Sequence, residues 1–381
     1  MNDTSLSSPS TPEPVRIEYV PRQGLLSLSL VNFVLGLLTL TIYRFWGKTN
    51  VRKHIWSCVH INGHPLEYTG RGIELFKGAL IVFLVFALPV VLLFTGLSFA
   101  YGPEHPAVAG VQVMVFLIVS LLWGAAIYKA RRYQLSRTLW RGIRGALVGS
   151  ATTYSLTFFG AMLARGVSLG WTTPVMNLNL QQQIIGDMRF GDQPFRFKGS
   201  AGPLYPTYAL CWFLTIAAII GLIVLITAEV GVLFGSEYMQ AFFDFFVDPD
   251  SASEDTATKV GIIIFSLVAI YLVFMAIYPI IWSFYTAREL STFASYTSFG
   301  EATFRLNATA GSIIRLVIGN LLLTIFTLGI ATPYVQQRLI RYLCDRLHVS
   351  GTVDVDRIRQ SQAAIDPTGE GLADALDIGG I

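Results

Sequence analysis

The residues of this 381-residue chain best suited to do chemistry cluster in one short stretch: Trp46, Lys48, Arg52 and Lys53. A tryptophan ring settles at the headgroup level of a bilayer, and nearby cations attract lipid phosphates. The four together predict contact with anionic headgroups, or a basic stretch that only sets topology. A second set is Arg165, Glu229 and Arg315, the charges most embedded in apolar sequence. A charge near the bilayer centre costs roughly 2.5 to 3.5 kcal/mol, so these three read as ion or substrate contacts. The plainer alternative has the arginines snorkelling to the interface and Glu229 near a helix end. His54, His60 and His64 lie close to Cys58, in spacings that fit no standard zinc pattern. Neither metal nor cofactor is expected. Paired carboxylates, a nucleophile elbow, a P-loop and a dinucleotide fingerprint are all missing, so no catalytic residue is assigned and the balance leans away from an enzyme.

The elements that must position these residues are set by composition. Hydrophobic residues make up 53% of the chain and charged residues 13%, half the usual charged share. So much apolar surface requires lipid as solvent. Net charge is only +3, which gives no reason to expect nucleic acid. Cys58, Cys211 and Cys344 form no disulfide framework. Seven apolar stretches have membrane-crossing length: Leu25–Tyr43, Phe76–Ala100, Ala107–Tyr128, Ala151–Trp171, Thr207–Phe234, Val260–Tyr285 and Ser312–Tyr334. Pro89 and Pro279 lie inside two of them and predict kinks. The loops at 100–107 and 235–258 are poor in basic residues, which places them outside the cytoplasm.

Thirty-two residues from Thr39 align without a gap on those from Ser168, and a third copy starts at Thr327. Each copy predicts an apolar segment, a break, an amphipathic polar helix and a β-hairpin. In the last two copies the break combines Gly170 with Pro174 and Gly329 with Pro333, a pairing that interrupts and redirects a helix. The first copy has Thr41 and Phe45 at those places. Hairpin turns are expected at Asn62-Gly63, Gly191-Asp192 and Ser350-Gly351, with looser relatives at 135–145 and 297–311. Spanning segments would make the middle copy point opposite to the others, an inverted repeat of the kind transporters use. Segments that dip in and return would instead leave every Lys and Arg except Lys259 and Arg165 in the cytoplasm. That second arrangement obeys the positive-inside rule better and gathers the hairpins on one side.

Three motifs carry a resemblance. "TIYRFWGKT" at 41–49 with basic residues after it, "NGHPLEYTG" at 62–70 and "ELFKG" at 74–78 are similar to the YjgN family of bacterial inner-membrane proteins of unknown function. The likeness runs from Val15 to Val355 and is most specific around Trp46-Gly47-Lys48; Asn50 stands where the family usually has a basic residue. It implies a multi-pass inner-membrane protein and brings no activity or site residue with it. The expected fold is mainly α: about seven hydrophobic helices in three repeats, some of them re-entrant, with small cytoplasmic β-hairpins. One repeat-built domain covers 15–355, with units near 25–70, 151–199 and 312–355, between disordered tails at 1–14 and 356–381. The expected function is a transporter or channel for a small solute or lipid; the alternative is a non-catalytic scaffold or envelope-organising protein. Partners would be the bilayer with its anionic headgroups, and a protein at the cytoplasmic hairpins.

Overall fold

The computed structural model describes residues 13–234, 254–354 and 357–363. Residues 235–253 of the acidic loop and most of the expected tails at 1–14 and 356–381 lie outside the described residues. The described residues fall into two compact units: those within 1–201, 291–307 and 319–381 form one, and those within 202–290 and 308–318 the other.

Helices α1 (Leu25–Leu38) and α2 (Arg44–Trp56) open the first unit. Helix α3 (Gly72–Tyr101) follows, with a π-helical turn at Phe83–Ala87, and then α4 (Pro106–Arg137). The π turn ends two residues before Pro89, whose ring and missing N–H disturb the preceding turn of a regular α-helix. Next come α5 (Ala151–Val167) and α6 (Thr173–Asp187). Helix α7 (Tyr205–Phe234) and most of α8 (Glu254–Tyr296) belong to the second unit. They are joined there by Cys211 Sγ donating to the Ile281 carbonyl at 3.2 Å and Trp282 Nε1 donating to Thr215 Oγ1 at 3.1 Å. Helices α9 (Ala310–Phe326) and α10 (Thr332–Arg346) complete the set.

Among the described residues four apolar spans are long enough to cross a membrane: Gly72–Tyr101, Pro106–Arg137, Gly202–Glu229 and Thr258–Tyr296. They match four of the seven apolar stretches. The other three stretches break. Helices α1, α5 and α9 have 14, 17 and 17 residues, about 21 to 26 Å at 1.5 Å per residue, and each ends in a turn leading to a second helix.

The three turns share one backbone. Leu40, Leu169 and Leu328 have φ of 48°, 49° and 49°, and the next residues, Thr41, Gly170 and Gly329, have 71°, 86° and 83°. The N–H of each of these latter residues donates five residues back, to Gly36, Arg165 and Thr324 carbonyls. The hydroxyls of Thr39, Ser168 and Thr327 each accept from an N–H four residues on. Helices α1 and α2 pack together, as do α5 and α6. Gln183 Nε2 reaches Thr157 Oγ1 at 2.9 Å across the second pair, and Gly319 lies against the Arg338 guanidinium in the third.

Strands follow the helices. A three-stranded sheet runs β2 (Ile17–Tyr19), β3 (Val59–Ile61), β4 (His64–Pro65). An antiparallel eight-stranded sheet contains, in spatial order, β5 (Glu67–Tyr68), β6 (Thr138–Trp140), β7 (Ile143–Leu147), β8 (Met188–Phe190), β9 (Gln193–Phe197), β10 (Thr297–Phe299), β11 (Ala302–Leu306) and β12 (Leu347–Ser350). Asn62-Gly63 and Arg141-Gly142 have both φ positive, as the tightest hairpin turns require. The turn at Ser350-Gly351 differs from the expected hairpin. There β12 pairs with β11, while β13 (Thr352–Val353) pairs with β1 (Glu13–Pro14). Gly351 sits against the Glu301 carbonyl, where a Cβ would approach to 2.5 Å, and the chain turns off toward β1.

Residues 357–363, inside the expected C-terminal tail, make specific contacts. Arg359 exchanges hydrogen bonds with Asp192, through its carbonyl to the Asp192 N–H at 3.0 Å and its N–H to Asp192 Oδ1 at 3.1 Å. Gln360 bonds the Gly142 carbonyl at 2.9 Å, and Arg144 Nη2 donates to the Ser361 carbonyl at 2.8 Å. The segment thus crosses the turns of β6–β7 and β8–β9, with Ile358 buried.

Candidate functional site: a cationic cleft between two helix pairs

Within the first unit, a cleft of about 460 Å³ opens between the α1–α2 pair and the start of α10. Ser29 and Asn32 reach it from α1, Arg44 and Lys48 from the beginning of α2, and Thr332 and Gln336 from α10. The α2 and α10 ends lining it are N-terminal, so both contribute partial positive charge to the two side-chain cations. No carboxylate is among the described residues that line it. Asn32 Nδ2 donates to the Gly47 carbonyl at 3.3 Å, but its buried Oδ1 accepts no hydrogen bond within the described protein. Such an acceptor costs about 1 to 3 kcal/mol when left unmade. Phe33 and Ile330 supply apolar walls. Gly47 explains how the helices approach: a Cβ there would lie 3.2 Å from Asn32 Cγ.

The residues singled out in the sequence are dispersed by the fold. Lys48 lines the cleft. Trp46 packs over Gly72, where a Cβ would come within 2.7 Å of the Trp46 backbone, and its ring lies 5.7 Å from Phe76. Arg52 is only 2% exposed; its Nη1 donates to Tyr68 Oη at 3.3 Å and its guanidinium lies over the Tyr68 ring. Helix α2 thus turns Arg52 toward β5. Lys53 is exposed. Arg165 Nη2 donates to Asn177 Oδ1 at 2.6 Å, tying α5 to α6. In the second unit Glu229 Oε1 accepts from Ser266 Oγ at 2.5 Å, and Arg315 is exposed on α9. Burial holds His54 below its ordinary pKa, and its Nε2 has no hydrogen-bond partner among the described residues. No cluster of three or more His, Cys, Asp or Glu with metal-binding geometry occurs among the described residues.

Arg44 and Asn32 were not singled out in sequence. Arg44 lies in the "TIYRFWGKT" motif but reads there as one more interfacial cation, and Asn32 is one polar residue in an apolar run. The fold also holds two networks on α4 that spacing alone did not reveal. Tyr133 Oη donates to Glu74 Oε2 at 2.7 Å, and Arg137 pairs with the same carboxylate at 2.9 Å. Five residues earlier, Tyr128 Oη donates to Asp187 Oδ2 at 2.7 Å and Arg132 donates to the Gly149 carbonyl. These staple α4 to α3 and to the end of α6.

Two further spaces lie where helices meet strands. One of about 230 Å³ is walled by residues of both sheets, including Trp140, Phe190, Phe195 and Phe299. The other, about 380 Å³, shares Ile17, Ile61, Leu66, Leu135, Thr138 and Met188 with it and reaches Cys344 on α10. Burial, with the charge of Asp345 adding to it, pushes the Cys344 thiol up to about 11.

These helices define a mainly helical membrane protein. The chain belongs to the family described as "Bacterial protein of unknown function (DUF898)", which matches residues 22–375. It is also similar to the inner membrane protein YjgN of Salmonella typhimurium strain LT2, at 29% identity over 117 residues. That stretch is 30% of this chain and 27% of the relative, so this chain covers well under two thirds of it. No solved structure matches.

Proposed function

We propose that this chain is a bacterial inner-membrane protein that moves lipid across or along the bilayer, and that its three helix–turn–helix units are copies of one re-entrant element. The inner-membrane location follows the name of its relative, and the excess of basic residues beside the strands favours a cytoplasmic side for them. One observation carries the reading: each of the three turns presents an exposed leucine. Leu40, Leu169 and Leu328 are 86%, 78% and 89% exposed, each at the tip of a helix too short to cross about 30 Å of hydrocarbon. Exposed leucines at three equivalent turns are costly in water and favourable in acyl chains, by about 25 cal/mol for each Å² removed from water. The tips therefore dip into one leaflet and return. The cleft between the first and third pairs then puts Arg44 and Lys48 at membrane depth, where a headgroup can follow them inward.

The scaffold alternative would have the hairpins recruit a partner, but three of them, β6–β7, β8–β9 and β10–β11, hydrogen-bond one another into one sheet. The transport reading is tested in liposomes holding purified protein and a fluorescent phospholipid, by quenching of outer-leaflet label. Loss of the protected inner fraction, slowed by Lys48→Gln together with Arg44→Gln, supports it. A protected fraction as stable as in protein-free liposomes refutes it.

A further inference from the structure

We propose that the strands of the first unit close into a barrel and that its apolar lumen binds one straight alkyl chain of an amphiphile. The inference goes beyond the lipid-movement reading and does not rest on it. Closure follows from the pairings. Strands β4 and β5 flank Leu66 in one continuous run, which joins the three-stranded sheet to the eight-stranded one. At the other edge β12 runs through Gly351 into β13, which pairs with β1. From β1 the chain passes through Val15 and Arg16 into β2, which pairs with β3. That completes the circuit. A sheet closed on itself has an interior that side chains or one small ligand must fill.

Alternate residues of the strands wall one shared space: Thr138 and Trp140 on β6, Met188 and Phe190 on β8, Ala302 and Phe304 on β11. Val15 and Ile17 enter from the β1–β2 run and Val349 and Val353 from the β12–β13 run, so both sides of the closure line it. The Phe299 ring meets Phe195 at 4.6 Å and Phe190 at 6.2 Å between centres, yet about 230 Å³ stays open beside them. An apolar cavity of about 150 Å³ already stays dry and takes a benzene-sized guest. The second space, about 380 Å³, shares wall residues with the first, so the two make one void of two lobes. Two joined lobes suit a chain that bends, not a compact ring system. Each methylene placed there gains contacts that the empty lumen cannot give its walls. The second lobe ends among helices, at Trp56 on α2, Leu135 on α4, Ile184 on α6 and Leu343 on α10. Helix α4 is long enough to cross a membrane and runs directly into β6, so a chain leaving the acyl layer along α4 meets this end first. At the turn end of the strands, residues 357–363 cross β6–β7 and β8–β9.

Full-length protein in lipid nanodiscs is offered palmitate carrying a diazirine near its methyl end, and the labelled peptides are mapped after irradiation. Label on β6, β8 and β11 is expected, displaced by plain palmitate but not by acetate, which has the same head and no chain. Ala302 is fully buried on the lumen wall. Ala302→Phe should therefore lower strand labelling about tenfold, the worth of roughly two buried methylenes. Thr303→Phe, at an exposed position of the same strand, should leave it unchanged. A phospholipid with the same diazirine on one acyl chain forms the second arm. Strand labelling by palmitate alone makes the guest a free amphiphile; labelling by both makes it one chain of a lipid held in the bilayer. Label confined to the helices overturns the proposal, as does strand labelling that Ala302→Phe leaves unchanged. A lumen filled by another segment of the chain gives no strand labelling and overturns it too. Should Ala302→Phe fail to fold, displacement by palmitate against acetate in the unaltered protein decides alone. Lumen labelling without lipid movement in liposomes would keep this site and refute transport. Lipid movement without lumen labelling would do the reverse.

Discussion

Thr41 is the odd residue among three turns with the same backbone, and it gives a test of that backbone. Its φ of 71° lies in the left-handed region, where the equivalent turns place Gly170 and Gly329. A side chain in that region costs roughly 1 to 2 kcal/mol. Glycine gives back about 0.4 to 1 kcal/mol through the freedom it adds to the unfolded chain. Thr41 is exposed, so little packing is lost with its side chain. Thr41→Gly should therefore stabilise the first helix pair by about 0.5 to 1 kcal/mol. Gly329→Ala runs the same change backwards. A Cβ there meets nothing closer than Thr332 Oγ1 at 4.0 Å, so no clash contributes, and the expected loss is of similar size. Unfolding titrations in mixed detergent micelles measure both, and the double variant should return near the starting midpoint, because the two sites lie in different turns and should add. Two neutral results, or a destabilised Thr41→Gly, would show that the turns do not bear the strain their φ values imply.

Gly191→Ala should release the C-terminal segment without unfolding the sheet. The added Cβ would lie 2.2 Å from the Arg359 carbonyl oxygen and 2.6 Å from Ile358, so faster proteolysis after 357 is expected with unchanged circular dichroism. Tyr133→Phe removes one charge-assisted hydrogen bond to Glu74 and should cost about 1.5 to 3 kcal/mol of stability. A loss within error would mean water replaces the hydroxyl. Cys344 should react slowly with maleimide at pH 8 in the folded protein and quickly after denaturation, because its thiol is held up to about 11. The linked stability has a definite sign: the unfolded thiol ionises first, so stability falls as pH rises from about 9 toward 11. Flat stability across that range would contradict the burial assigned to it.

The sequence by itself determined the solvent of this protein and the places where its helices end. Apolar content demanded lipid, and four of the seven apolar stretches became helices of crossing length. The breaks were legible because Gly and Pro act on their own backbone: Thr-Pro begins α6 and α10 where it was expected to redirect the chain. The first break was harder to read, since Thr41 and Phe45 carry no such local signature and the turn forms there against the preference of Thr41. The two-residue turns at Asn62-Gly63 and Gly191-Asp192 were equally local. What the tertiary structure decided was which side chains face one another. Arg52 and Lys53 are neighbours of the same charge, yet a rotation of about 100° per residue along α2 buries one on Tyr68 and leaves the other exposed. The partner of β12, the docking of residues 357–363 and the meeting of Asn32, Arg44 and Lys48 with Gln336 all join residues far apart in the chain. Periodicity fixes a residue's face on its own element, but the neighbour that face meets is set by packing, which no local pattern encodes.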